Sequence, residues 1–180
     1  MKSDEFRLAR FLHAQEHSYA AALQELCSGR KRSHWIWFVF PQLRGLGRSS
    51  NSEVYGLAGL AEARAYLADP ILGHRLREAT RAMLAHHTLG ASAVLGDLDA
   101  LKFRSCLTLF SVADPSEHVF AMALERFFAG ERDVRTLELL DAQGVRRNTI
   151  MSPYTGARVR PEPVPGLAST RDFPLAGERT

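Results

Sequence analysis

Lysine is scarce in this chain. Of its 23 cationic residues only Lys2, Lys31 and Lys102 are lysines, and the rest are arginines. A lysine amine can lose its proton and attack an electrophile, and an arginine guanidinium cannot. Each internal lysine is therefore a mild pointer to chemistry, although drift in residue usage accounts for any one of them as simply. Cysteine is nearly absent too. Cys27 and Cys106 stand apart, with no second cysteine or suitably spaced histidine nearby, so they make neither a disulfide framework nor a metal cluster. They are expected to be reduced core thiols, and neither a metal nor a cofactor is expected. Long apolar runs are missing as well. The longest, Trp35 to Phe40, is far too short to span a bilayer. The first residues are charged and carry no apolar signal region, so a cytoplasmic location and no membrane partner are expected. The formal net charge of +3 suits phosphate-bearing ligands but argues only weakly for nucleic acid. There is no internal repeat.

What is present suits an ordinary globular domain. The 180 residues are 46% hydrophobic and 24% charged. A domain of this size buries roughly 70% of its unfolded surface, enough for a core without staples. Leu8, Leu12, Gln15, Tyr19, Ala22 and Leu26 recur at helical spacing and predict one amphipathic helix from about Asp4 to Ser28, stopped by Gly29. Gln15 lies on the apolar stripe, so its amide either pins a loop or faces a ligand.

The segment Ser33–Gln42 holds both tryptophans. Its aromatic and β-branched residues favour a buried strand ended by Pro41, with a buried helical turn as the alternative. Gly45–Ser52 then reads as a flexible polar loop able to cradle an anion, without the Walker lysine or the three-glycine dinucleotide fingerprint. Glu53–Leu57 is a second short strand candidate. Helices are predicted over Leu60–Ala68, after the Asp69-Pro70 cap, and over Asp97–Phe110. Further helices follow the Asp114-Pro115-Ser116-Glu117 start and Asp133. From about Val145 prolines accumulate and large apolar residues thin out. The expected organisation is one compact, mainly α domain over 1–144, with at most a small β element around 35–57. A proline-rich tail over 145–180 follows it.

Phe11, Ala14-Gln15, Tyr19, Gly29, the whole run Ser33-His34-Trp35-Ile36-Trp37-Phe38-Val39-Phe40-Pro41-Gln42, Gly45-Leu46-Gly47, Ser49, Ser52 and Tyr55 form a specific set. Glu62-Ala63, Tyr66-Leu67, Pro70, Asp99, Lys102, Ser105 and Thr108-Leu109-Phe110 extend it. Over about residues 4–141 this closely resembles a bacterial family of unknown function that carries the label calpastatin. Ile36 replaces the family's usual Met, and Cys106-Leu107 its usual Ser-Met. That family in turn is distantly similar to the NAD- and ADP-ribose-associated domains, which are mostly helical and linked to hydrolysis of N-glycosidic bonds. The resemblance implies a hydrolase acting on nucleotide or ADP-ribose derivatives. A non-catalytic module binding a nucleotide or a protein is the alternative.

Cleaving an N-glycosidic bond builds positive charge on the ribose carbon and negative charge on the departing base. A carboxylate steadies the first and a protonated donor the second. Asp99, Lys102 and His34 are the catalytic candidates. Lys102 would either attack the sugar carbon or anchor phosphate as a cation. Gln15, Trp35, Gln42, Arg44, Gly47, Ser49, Ser52, Tyr55 and Ser105 are the candidates for holding a nucleotide-like ligand. Aromatic faces would stack the base at about 1–3 kcal/mol per contact. Each part also has a plain structural reading. The tryptophans fill a core, His34 bonds a carbonyl, and Asp99 with Lys102 forms a surface pair worth a few tenths of a kcal/mol.

Overall fold

The computed structural model describes residues 6–144, which form ten helices and no strand. The predicted tail lies outside the described residues. The mainly helical single domain expected from the sequence is what the chain adopts.

The first predicted helix is two: α1 (Ala9–Glu16) and α2 (Tyr19–Cys27). The break falls at Ser18, whose hydroxyl bonds back to the Ala14 carbonyl and competes with continued helix. The favoured strand at the aromatic segment is overturned as well. Ile36–Val39 is the one-turn helix α3, closed by bonds from Val39 N–H to the Trp35 carbonyl and Phe40 N–H to that of Ile36. No neighbouring strand offers it a ladder. Instead the Phe38 carbonyl accepts from the Gln15 amide at 2.7 Å and from the Tyr66 hydroxyl at 3.3 Å. The second strand candidate is replaced by α4 (Ser50–Val54), capped by the Ser49 hydroxyl. The β element reduces, among the described residues, to one isolated parallel bridge between Leu43 and Leu57.

The remaining helices follow the sequence signals, except that the Asp114-Pro115 start forms a turn in which Asp114 accepts from Ser116, and the helix after it begins only at His118. They are α5 (Leu60–Ala68), α6 (Leu72–Leu84), α7 (Ala91–Leu95), α8 (Asp97–Ala113), α9 (His118–Phe128) and α10 (Val134–Ala142). Asp69 caps α6 by accepting from the N–H groups of Ile71 and Leu72, and Asp133 caps α10 by accepting from Thr136 N–H.

Helix α8 is the axis of the molecule. It packs against α3, α5, α7, α9 and α10. Phe103, Cys106, Leu107, Leu109 and Phe110 on it are fully buried. Fully burying side chains of this size contributes roughly 1.5–3 kcal/mol each, so this one helix organises most of the core. Aromatic contacts tie the aromatic segment to it: the Phe40 and Phe103 rings lie 4.6 Å apart. Burial pushes the Cys106 thiol well up from its ordinary value, so it stays a neutral core group.

Candidate functional site

The first turn of α8 leaves the core and presents Asp99 and Lys102 at its edge. Lys102 Nζ donates to Asp99 Oδ1 at 2.6 Å, and Lys31 Nζ reaches Asp99 Oδ2 at 2.8 Å. Both oxygens of one carboxylate are thus held by two of the chain's three lysines. Lys31 is fixed in turn by its backbone N–H on the Val94 carbonyl at 2.7 Å. Each ammonium also faces an indole. Lys102 lies 4.8 Å from the centre of the Trp37 ring, and Lys31 lies 5.2 Å from that of Trp35. Burial alone would raise the Asp99 carboxyl, but the bonds from Lys102 and Lys31 outweigh it and hold the group below the usual carboxylate range. With two cations on one anion the cluster carries a local excess of positive charge.

The two tryptophans part company here. Trp35 is buried in the core and its indole N–H donates to Glu25 Oε2 at 2.8 Å. Glu25 also accepts from the Ser33 hydroxyl and from the backbone N–H groups of Arg32 and Ser33. Burial opposes this, yet the four bonds lower its carboxyl to about 2. Trp37 is only partly buried, and its indole nitrogen is sealed from solvent with no hydrogen-bond partner among the described residues. Trp37 also lines a small cavity of about 10 Å³, together with Gln42, Leu43, Asn51, Ser52, Tyr55 and Gly56. Such a space holds roughly one water-sized group. An unpaired buried N–H costs about 1–3 kcal/mol, which is why it draws notice.

The loop from Gly45 to Gly56 forms the cavity's outer wall. Gly47 is packed so tightly on Ser52 that a Cβ there would clash with its side chain. At Gly56 a Cβ would lie 2.5 Å from the Ser52 carbonyl oxygen and 2.8 Å from Arg44 Cα. Both obstacles are backbone or bear directly on it, so glycine is required at Gly56 for the loop to close.

Of the residues expected at the site, Lys102, Asp99, Gln42, Ser52 and Tyr55 gather around Trp37. Ser49 sits at the edge, its hydroxyl 2.6 Å from that of Ser52. Arg44 is exposed and faces a different cleft. His34 is exposed and, among the described residues, makes no side-chain hydrogen bond or ion pair. Gln15 is buried between the Phe38 carbonyl, the Tyr66 hydroxyl and the Arg75 guanidinium, which is the loop-pinning arrangement. Ser105 is buried and bonds back to the Leu101 carbonyl on its own helix. Lys31 and Trp37 were missing from the expected set. The scarcity of lysine was the signal for the first. The second was hidden by reading the segment as a strand, where Trp35 and Trp37 share a face, rather than as a helical turn, where they diverge.

These features define a small all-helical domain with a polar cavity and an aromatic–cation cluster beside its central helix. The chain belongs to the family described as "Protein of unknown function (DUF1810)", whose model matches residues 5–140. Among solved structures it is similar to the conserved hypothetical protein Rv1873 from Mycobacterium tuberculosis, with 43% identity and a TM-score of 0.76. That alignment covers 77% of this chain and 99% of the other. No curated protein matches. Among the described residues no helix is long and apolar enough to cross a membrane, and no group of three or more His, Cys, Asp and Glu side chains is placed to hold a metal ion.

Proposed function

We propose that this domain binds a small, anionic, nucleotide-like ligand where α3, the Gly45–Gly56 loop and the start of α8 meet. The observation that carries the reading is the Trp37 indole N–H, buried without a partner beside the Lys102 ammonium. An unsatisfied donor next to a cation that shares its one carboxylate with a second lysine suits a ligand with an acceptor atom and a nearby negative charge. Gln42 and Ser52 add an amide and a hydroxyl that can donate or accept. The cavity admits one acceptor group, so the bulk of the ligand lies over Lys102, which is 27% exposed and has donors beyond the one given to Asp99. The ADP-ribose class is favoured by the resemblance of the family to NAD- and ADP-ribose-associated domains.

Hydrolysis of an N-glycosidic bond is the second reading, favoured by an Asp99 carboxyl kept ionised next to this cluster. Binding stands first because each Asp99 oxygen already accepts from a lysine, which draws the carboxylate toward the two cations and away from a ribose carbon or an attacking water. The same pairing suits Lys102 as an anchoring cation rather than a nucleophile.

The test is a titration of ADP-ribose, AMP and NAD into the full chain, followed by tryptophan fluorescence and thermal shift. Saturable quenching that disappears in Trp37→Phe and weakens in Lys102→Gln supports the reading. No response to any of the three, or one unchanged in Trp37→Phe, overturns it. Release of free base or ribose on prolonged incubation, lost in Asp99→Asn, promotes the hydrolytic reading.

A further inference from the structure

On the other side of the Gly45–Gly56 loop lies a cleft of about 400 Å³, and it belongs to a different constellation of residues. Its floor is Arg10. This guanidinium is committed to the protein: it donates to the carbonyls of Phe6, Arg7, Val54 and Gly56, and pairs with Glu62 at 2.6 Å. Glu62 is itself buried and uses its second oxygen on Ala58 N–H at 2.7 Å. The Arg10–Glu62 pair is therefore neutral and spent on holding α1, α5 and the loop together.

Above this floor the remaining charged groups are Arg7, Arg44 and Glu53. Neither Arg7 nor Arg44 has a carboxylate partner among the described residues, and Arg44 makes one side-chain bond, to the Gly56 carbonyl at 3.2 Å. Among the described residues, two guanidinium groups without a carboxylate partner against one carboxylate give the cleft lining a net positive charge. Guanidinium groups present forked N–H donors that match the oxygens of phosphate, and a space of this size accepts a small molecule. Arg7 also holds a left-handed backbone with φ of 51°, fixed by two bonds into its carbonyl from Arg10. That conformation is uncommon outside glycine and belongs to a residue at the cleft's mouth.

We infer that this cleft is a phosphate site, separate from the Trp37 cavity, in which Arg44 and Arg7 hold a phosphate or pyrophosphate group and Glu53 restrains its affinity. The loop between the two sites shares Gly56 and the segment around Ser52 with both, so the sites are neighbours that do not share a ligating side chain.

The experiment is a ³¹P NMR titration of inorganic pyrophosphate into the full chain, at constant ionic strength set with chloride. Saturable binding is expected, weakened about tenfold or more in Arg44→Gln and unchanged in Trp37→Phe. Glu53→Gln is expected to tighten binding about threefold, because among the described residues it removes the one unpaired negative charge lining the cleft. All three residues are partly or fully exposed, and thermal melts of the variants check that each remains folded. No saturable binding to the wild type, equal binding by Arg44→Gln, or weaker binding by Glu53→Gln would each overturn the inference. Loss of pyrophosphate binding in Trp37→Phe would also overturn it, by moving the phosphate to the Trp37 cavity.

Discussion

The Lys102 ammonium stands 4.8 Å from the centre of the Trp37 ring while it donates to Asp99 at 2.6 Å. One cation therefore links the central helix to the only tryptophan whose indole N–H is unpartnered among the described residues. Lys31 repeats the pattern on the other Asp99 oxygen and the other tryptophan. Asp99 is the joint of this arrangement, and removing its charge has a predictable effect.

Asp99→Asn leaves two ammonium groups facing each other across a neutral amide, with Lys31 only 9% exposed. A fully buried broken pair costs about 3–5 kcal/mol, and partial exposure here reduces that to roughly 1–3 kcal/mol. The Asp99 carboxyl is depressed in the folded state, so its contribution is present above its ordinary value of 3.8 and fades as pH falls through the folded one. Urea denaturation of wild type and Asp99→Asn should thus differ most at neutral pH and converge in acid. A difference that stays constant down to pH 2 would remove the electrostatic explanation.

Glu25 predicts a second acid-sensitive step. Its folded value of about 2 lies below its ordinary 4.5, held there by four hydrogen bonds that oppose burial. A depressed carboxyl stabilises the fold fully above about 4.5 and loses that effect as pH falls toward 2. Glu25→Gln keeps the shape but weakens the clasp on Ser33 and Trp35. Its stability deficit should shrink steadily across that interval, and the fluorescence of Trp35 should report the local loosening.

How much of this was legible beforehand depends on the kind of signal. The helices from Leu60 onward were readable because caps and stripes agree locally: Asp69 and Asp133 cap helices in the structure as their sequence neighbours suggest. The convergence of Asp99 and Lys102 was readable because a three-residue spacing on one helix fixes it. The break at Ser18 was not, since it depends on a single hydroxyl choosing the Ala14 carbonyl. The aromatic segment was misread because its strand propensity is real but irrelevant without a partner strand. Gln15 and Tyr66, distant in sequence, take the carbonyl that a ladder would need. Trp37 joined the candidate site only when that helical turn set its direction, and Lys31 only when its backbone bond to Val94 placed it at Asp99.

The tryptophans should respond oppositely to the same change. Trp35→Phe removes a buried indole and its bond to Glu25, and should cost about 1–3 kcal/mol. Trp37→Phe removes an N–H that already lacks a partner, so it should be close to neutral or slightly stabilising. Chemical denaturation of the two single variants checks this. A large loss in Trp37→Phe would mean that the indole fills structural space rather than facing a ligand.

Gln15→Leu tests whether that residue belongs to the fold or the site. The variant removes the shorter of the two bonds to the Phe38 carbonyl, the amide bond to the Tyr66 hydroxyl and the acceptor of Arg75, leaving only the 3.3 Å bond from Tyr66 to Phe38. The expected cost is about 2–3 kcal/mol, with ligand affinity at the Trp37 cavity unchanged once the protein is folded. Binding measured well below the melting transition separates the two quantities, and a selective loss of affinity would return Gln15 to the site.

Gly56→Ala reaches both proposed sites through one backbone. The added methyl would meet the Ser52 carbonyl oxygen at 2.5 Å and Arg44 Cα at 2.8 Å, and neither can rotate away as a side chain end would. The loop must shift, and the Gly56 carbonyl shifts with it. That carbonyl accepts from Arg10 on one side and from Arg44 on the other. Displacing it loosens the floor of the arginine cleft, while moving Ser52 opens the wall of the Trp37 cavity. Overpacking of this kind costs about 1–3 kcal/mol. The variant should therefore remain folded at room temperature yet lose affinity for both ADP-ribose and pyrophosphate. Trp37→Phe should affect only the first ligand, and Arg44→Gln mainly the second. If Gly56→Ala binds both as tightly as the wild type, the loop is not the shared wall of the two sites.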